Sequence, residues 1–234
     1  MRAIGDNLQA VLQRIAHAAR DAGRDPAGVT LLAVSKTHPA ALVEQAMAAG
    51  QRAFGENYVQ EALEKMDALA GGKGIEWHLV GPLQSNKTRL AAARFDWVHT
   101  VESEKTARRL SGQRSGNLPP LNVLIQVNVS GEATKSGVAP AEVEPLARAV
   151  SALPRLKLRG LMAIPEPGAD RERFHEVKVV FEKLKGKFGF DTLSMGMSDD
   201  METAIAEGAT MVRIGTAIFG QRGVASRRQE RNAA

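Results

Sequence analysis

An apolar run, Val29-Thr30-Leu31-Leu32-Ala33-Val34-Ser35, ends in Lys36-Thr37, and that lysine carries the chemistry around which the chain can be read. β-Branched residues at 29, 30 and 34 make the run look like a strand buried on both faces, as parallel strands are. Lys36 then lies at the C-terminal end of the strand, where ligands and catalysis are found in open α/β sheets and in (β/α)8 barrels. Alone, a lysine in that place is a solvated loop charge. Two later loops change its meaning: Ser194-Met195-Gly196-Met197-Ser198-Asp199-Asp200, and Arg213-Ile214-Gly215-Thr216. Ser198 stands where a helix N-cap is expected, and Gly215 and Thr216 open another turn. Backbone N–H groups and two hydroxyls can therefore converge on an anion. Read separately, Gly196 and Gly215 only make tight turns and Ser198 only caps a helix. Read with Lys36, an amine and an anion cup at one mouth suit a phosphorylated aldehyde.

Other candidates carry less. Gly81-Pro82-Leu83-Gln84-Ser85-Asn86-Lys87-Thr88 has Asn86 where a phosphate-binding P-loop needs glycine, so that motif is rejected. His38, His78 and His99 lack paired metal-ligand spacing and read as hydrogen-bonded histidines, so no metal site is expected. Asp199 and Asp200 resemble general acids, but acids in a first helical turn often only complement its dipole. Glu56, at a strand end, is a better candidate for positioning Lys36 or Asn57.

These residues need a scaffold that brings strand ends together. Apolar runs at 29–35, 52–55, 75–80, 97–101, 121–129, 158–163, 191–195 and 211–214 predict eight strands. Between them the pattern predicts helices near 39–49, 58–70, 86–93, 103–111, 140–152, 170–187 and 199–207. Ile4, Leu8, Val11, Leu12, Ile15 and Ala19 mark one apolar face of an additional N-terminal helix. Gly50 and Gly208 fall where helix C-caps are expected. Eight β/α units without a linker predict one α/β domain over 1–220, a single (β/α)8 TIM-type barrel.

Composition narrows the class. The chain has 234 residues, 44% of them hydrophobic, enough for one substantial core. With no cysteine, a disulfide framework, a thiolate metal site and a cysteine nucleophile are excluded, and a cytoplasmic location is expected. No apolar segment approaches membrane-spanning length. The formal charge of +5 is concentrated in residues 221–234, where Arg222, Arg227, Arg228 and Arg231 oppose Glu230. We expect a basic, disordered tail there. With little aromatic content in the body, no specific nucleic-acid partner is expected.

From Leu31 to Gly220 the chain resembles the pyridoxal phosphate homeostasis proteins. The resemblance is carried by Ala33-Val34-Ser35-Lys36-Thr37, Phe54-Gly55-Glu56-Asn57-Tyr58-Val59-Gln60-Glu61, Trp77-His78, Leu83-Gln84-Ser85-Asn86-Lys87 and Gln126-Val127-Asn128-Val129-Ser130. It continues through Lys135-Ser136-Gly137, Arg159-Gly160-Leu161-Met162, Leu193 to Asp200 and Val212 to Gly220. Pro82 departs from the family's pattern, and the 165–170 loop and the tail are idiosyncratic. The resemblance implies an alanine-racemase-like barrel that binds pyridoxal 5′-phosphate as an aldimine on Lys36. It implies that Ser198, Gly215 and Thr216, with Gly196, hold the phosphate, that Arg213 faces the pyridine nitrogen, and that Asn57, His78 and Met162 line the ring. Ser194 completes the implied cofactor-binding set.

An arginine beside the pyridine nitrogen disfavours its protonation and weakens the ring as an electron sink. Barrel enzymes of this class also use a second domain and a tyrosine or cysteine on the far face, whereas this chain has no Cys and only Tyr58. The expected function is a non-enzymatic carrier or buffer of the cofactor that influences amino-acid pools, with pyridoxal-phosphate-dependent enzymes as clients. A low-turnover amino-acid racemase using Lys36 as its one base is the alternative. A Schiff-base aldolase acting on phosphorylated sugars without a cofactor is a third.

Overall fold

The structure, a computed structural model, describes residues 3–72, 74–130, 136–166 and 168–221. The expected tail lies outside the described residues from 222 onward, as does Lys135. Eight strands, β1 (Thr30–Val34), β2 (Ala53–Glu56), β3 (Glu76–Leu79), β4 (Trp97–Val101), β5 (Leu121–Val127), β6 (Leu156–Ala163), β7 (Thr192–Ser194) and β8 (Met211–Ile214), form a closed barrel. All pairings are parallel, and β1 closes the ring by pairing Thr30 with Met211 and Ala33 with Ile214 of β8. Closure leaves no sheet edge to protect.

Helices α1 (Ile4–Asp21), α2 (Ala40–Ala48), α3 (Val59–Ala68), α4 (Thr88–Arg94), α5 (Glu104–Gln113), α6 (Val143–Ser151), α7 (Arg171–Phe188), α8 (Met201–Ala206) and α9 (Thr216–Phe219) complete the described elements, with short 3-10 turns at Pro26–Gly28 and Pro140–Glu142. Local chemistry marks several boundaries. Ser103 Oγ caps α5 by accepting from Thr106 N, and Gly189 ends α7 in the left-handed region at φ 69°. Gly50 and Gly208 follow α2 and α8 with φ of 101° and 94°, as their C-cap placement predicts.

The main apolar core lies between helices and barrel, and two smaller clusters stand apart from it: Leu32, Ala53, Val80 and Met211, and Trp97, Leu124 and Met162.

Several sequence expectations shift. β1 excludes Val29 and Ser35, β5 stops at Val127, and β6 begins at Leu156. The helix expected over 140–152 begins as a 3-10 turn, with Pro140 at its start. Leu12 falls at the edge of the α1 apolar stripe and is 38% exposed, whereas Ile4, Leu8, Val11, Ile15 and Ala19 are buried.

Candidate functional site

Lys36 occupies the second position of a four-residue turn closed by His38 N donating to Ser35 O over 3.1 Å. Thr37 follows at φ 64°. That position in a type II turn requires positive φ and ordinarily takes glycine, and a β-branched residue there is an outlier. The turn leads into α2.

Beneath it lies a charged cluster. Ser35 Oγ donates to Glu56 Oε1 over 2.6 Å, and Lys65 Nζ donates to Ser35 O, Glu56 Oε1 and Glu61 Oε1, each at 2.7 Å. Glu61 Oε1 also accepts from Thr37 N at 2.6 Å. Glu56 and Lys65 are buried, so their pairing is screened little by water. One ammonium thus serves two carboxylates. Burial pushes Glu56 up to about 7, against the opposing pull of Lys65 and Ser35. Glu56 therefore touches Ser35, the neighbour of Lys36.

A second buried chain crosses between strands. Arg213 Nη1 of β8 donates to Ser194 Oγ of β7 at 2.9 Å, and Arg213 Nη2 donates to Ala163 O at 2.9 Å. Ser194 Oγ lies 3.2 Å from His99 Nδ1, and His99 Nε2 lies 2.9 Å from His78 Nδ1. His78 stacks on Trp97, whose Nε1 donates to Glu76 Oε1 at 2.5 Å. Glu76 Oε2 is 3.5 Å from His78 Nε2, long for a hydrogen bond. Burial holds His78 below the usual histidine range, and burial with His78 and Arg213 nearby holds His99 well below it. Both rings are neutral at neutral pH. Burial lowers Arg213 only to about 10, with Asp200 opposing, so it stays cationic. With each ring protonated on Nε2, donors run in one direction from Arg213 through Ser194, His99 and His78 toward Glu76.

At the mouth these elements surround a cavity of about 300 Å³, at the small end of ligand-site volumes. Six of the ten expected residues line it: Lys36, Asn57, Ser198, Arg213, Gly215 and Thr216. Val34, His38, Val80, Gly81, Pro82, Ile164, Met197 and Asp199 complete the lining. His78, Met162 and Ser194 are fully buried and do not line the cavity, so they meet it only through Arg213 or neighbouring packing. Gly196 also stands off it. Its φ is 97°, and a Cβ there would come within 2.6 Å of Ala204 Cβ, so its glycine seats the loop on α8. At Gly81 a Cβ would meet Asn57 O at 2.2 Å, which lets this loop press against the Asn57 backbone.

The expected capping by Ser198 is corrected. The N-cap of α8 is Asp200, two residues later, and its Oδ1 turns back to accept from Met197 N at 2.5 Å. This turn consumes the loop before the helix begins, leaving Ser198 on the cavity wall and both Asp199 and Asp200 outside the first helical turn. From behind, α1 and the segment after it support this region: from α1, Arg14 Nη2 donates to Ser198 O at 3.3 Å and Asn7 Nδ2 to Ile218 O of α9 at 2.9 Å, and beyond its end Arg24 Nη1 donates to Ile205 O of α8 at 2.5 Å.

Sequence reasoning missed His99, Lys65 and Glu61 as part of this machinery. Among the described residues, no group of His, Cys, Asp or Glu is arranged to hold a metal, and no helix is long and apolar enough to cross a membrane. An amine, hydroxyls beside backbone N–H groups and a buried guanidinium in one cavity fit the aldehyde, phosphate and ring nitrogen of pyridoxal phosphate.

The family model described as alanine racemase, N-terminal domain, matches residues 7–223 of this single parallel barrel. An alanine racemase from Corynebacterium glutamicum shares the fold at 21% identity and TM-score 0.66, over 90% of this chain and 62% of that one. Closer relatives narrow the class. A pyridoxal phosphate homeostasis protein of Pseudomonas aeruginosa is 59% identical, covering 95% of this chain and 97% of that one, and one of Escherichia coli K12 is 56% identical over 95% and 98%. PipY of Synechococcus elongatus PCC7942, solved with pyridoxal phosphate bound, is 37% identical with TM-score 0.81, over 93% of this chain and all of that one. The chain belongs to the pyridoxal phosphate homeostasis protein family.

Proposed function

We propose that this protein holds pyridoxal phosphate covalently through Lys36 and acts as a carrier or buffer of the cofactor, without efficient turnover of its own. The observation that carries this reading is the convergence of Lys36, Ser198, Thr216 and Arg213 on one small cavity. The relatives' names and the pyridoxal-phosphate-bound PipY support it.

When bound, the cofactor supplies an aldehyde that captures amines and a ring that accepts electrons when its nitrogen is protonated. Lys36 Nζ would be the amine that bonds its aldehyde carbon. Ser198, Thr216 and the backbone at Gly215 would hold the phosphate, and Asn57 would line the ring. Arg213, cationic and fixed by Ser194 and Ala163, keeps a proton off the ring nitrogen by like-charge repulsion. His78 and Met162 support that floor from inside the barrel. The chain's one tyrosine, Tyr58, N-caps α3 and does not line the cavity, so the far face lacks a tyrosine acid or base.

A carrier of this kind implies pyridoxal-phosphate-dependent enzymes as recipients. The test mixes stoichiometric holoprotein with an apoenzyme of that class and follows loss of the visible band against gain of activity. Transfer faster than release into buffer supports delivery; transfer limited by release supports a buffer; an absent visible band in the purified, cofactor-treated protein overturns the assignment.

A further inference from the structure

The lysine that captures the cofactor sits on a turn that its own residues do not favour. Thr37 holds φ at 64°, and its Oγ1 is buried without a protein hydrogen-bond partner, so the threonine side chain does not compensate for the conformation. Compensation comes from a neighbouring helix. Glu61 accepts from Thr37 N on one side of Lys36, and Lys65 donates to Ser35 O on the other. The same Ser35 carbonyl closes the turn with His38 N, and Ser35 Oγ is anchored on Glu56.

We propose that Glu61 and Lys65 of α3, with Glu56 of β2, are positioning residues that clamp the Lys36 turn for covalent capture of the cofactor aldehyde. This rests on the assignment of Lys36 above. In the capture step Nζ forms a bond to the aldehyde carbon, and the carbonyl oxygen leaves as water with the two amine protons. The clamp touches none of these atoms. It fixes the backbone of residues 35–37, and so the origin from which the lysine side chain reaches. A strained backbone conformation persists only where its surroundings over-determine it, and such sites cluster at functional positions. Lys65 meets that description: its ammonium is buried and bonded to a carbonyl and two carboxylates that all belong to, or touch, this turn. Glu61 is the more exposed partner, with 27% of its side chain accessible.

Two ligands separate capture from docking. Pyridoxal 5′-phosphate needs Lys36 to bond covalently, whereas pyridoxine 5′-phosphate has the same ring and phosphate without an aldehyde. Wild-type protein is first treated with pyridoxal phosphate and borohydride and mapped by peptide mass; failure to label Lys36 removes the assignment of the lysine itself. Glu61→Ala should then weaken pyridoxal phosphate binding about tenfold. Its affinity for pyridoxine phosphate should stay within about twofold. Adding Thr37→Gly to that variant should recover most of the loss, because glycine adopts positive φ without the clamp. Equal losses for both ligands, no loss for either, or no recovery with Thr37→Gly overturns the clamp.

Discussion

Arg213 donates to Ser194 Oγ over 2.9 Å, deep between β7 and β8, and this bond fixes a cation at the floor of the cofactor cavity. The neutral His99 and His78 beyond Ser194 add no positive charge of their own, and Ala163 O holds the second guanidinium nitrogen. The charge is therefore both permanent at neutral pH and immobile.

If Arg213 faces the ring nitrogen as proposed, its permanent charge should make the holoprotein a poor catalyst. Each missing proton-transfer group costs about 10²–10⁴ in rate. Holoprotein incubated with amino acids in deuterated water should show Cα–H exchange by NMR, and racemisation by chiral chromatography, far slower than about 1 s⁻¹. Faster exchange that disappears in Lys36→Ala would establish the racemase alternative.

Lys36→Ala should abolish the visible absorbance band and the borohydride-stable adduct while leaving the fold intact, since its side chain enters a cavity and not the core. An adduct that persists in this variant, mapped to another lysine, would refute the assignment.

Ser198→Ala and Thr216→Val should weaken pyridoxal phosphate and spare unphosphorylated pyridoxal. Loss of a hydrogen bond to a charged group costs about 1.5–3 kcal/mol, or one to two decades in affinity. Competition binding of the two ligands checks the split; parallel losses would place these hydroxyls away from the phosphate.

Glu56 gives a pH signature. Its carboxyl is raised from 4.5 to about 7 in the folded state, so between those values the folded protein holds a proton that the unfolded chain has released. The contribution favours folding fully below about 4.5 and is lost as pH rises through about 7. Glu56→Gln should flatten this part of the profile, the wild-type slope summing to about 3 kcal/mol across the window. Denaturant melts from pH 4.5 to 8 measure it, and superimposable slopes for both proteins would exclude Glu56 as its origin.

Much of this architecture can be read in the chain alone, because parallel strands buried on both faces announce themselves as apolar runs. β4 and β8 fall on the residues expected, and other boundaries move by one or two positions. Lys36 stood out because a charge ends an apolar run. Lys65 did not: between Ala62, Leu63 and Met66 it reads as part of a solvated face, and only the docking of α3 shows that its ammonium is buried beneath Ser35. His99 reads as a hydrogen-bonded histidine, but its partners come from β3 and β7, far apart in sequence. The N-cap of α8 is not legible because Ser and Asp compete for that role within three residues, and the choice depends on a local turn. Strand parity points His78 and Met162 inward, yet does not say how deep below the mouth they lie.

The order in which the ring closes has a consequence during synthesis. β1, which runs into the Lys36 turn, leaves the ribosome early, but one of its two hydrogen-bonding neighbours is β8, and the loops that supply Ser198 and Thr216 follow β7 and β8. Pairing across such a separation is slow, because the chain must close a long loop before any bond rewards it. A nascent chain thus holds Lys36 after a half-paired strand, with the proposed anion site still to form. If Lys36 captures a phosphorylated aldehyde as proposed, it does so with its full anion site only on a chain whose β8 is already in place.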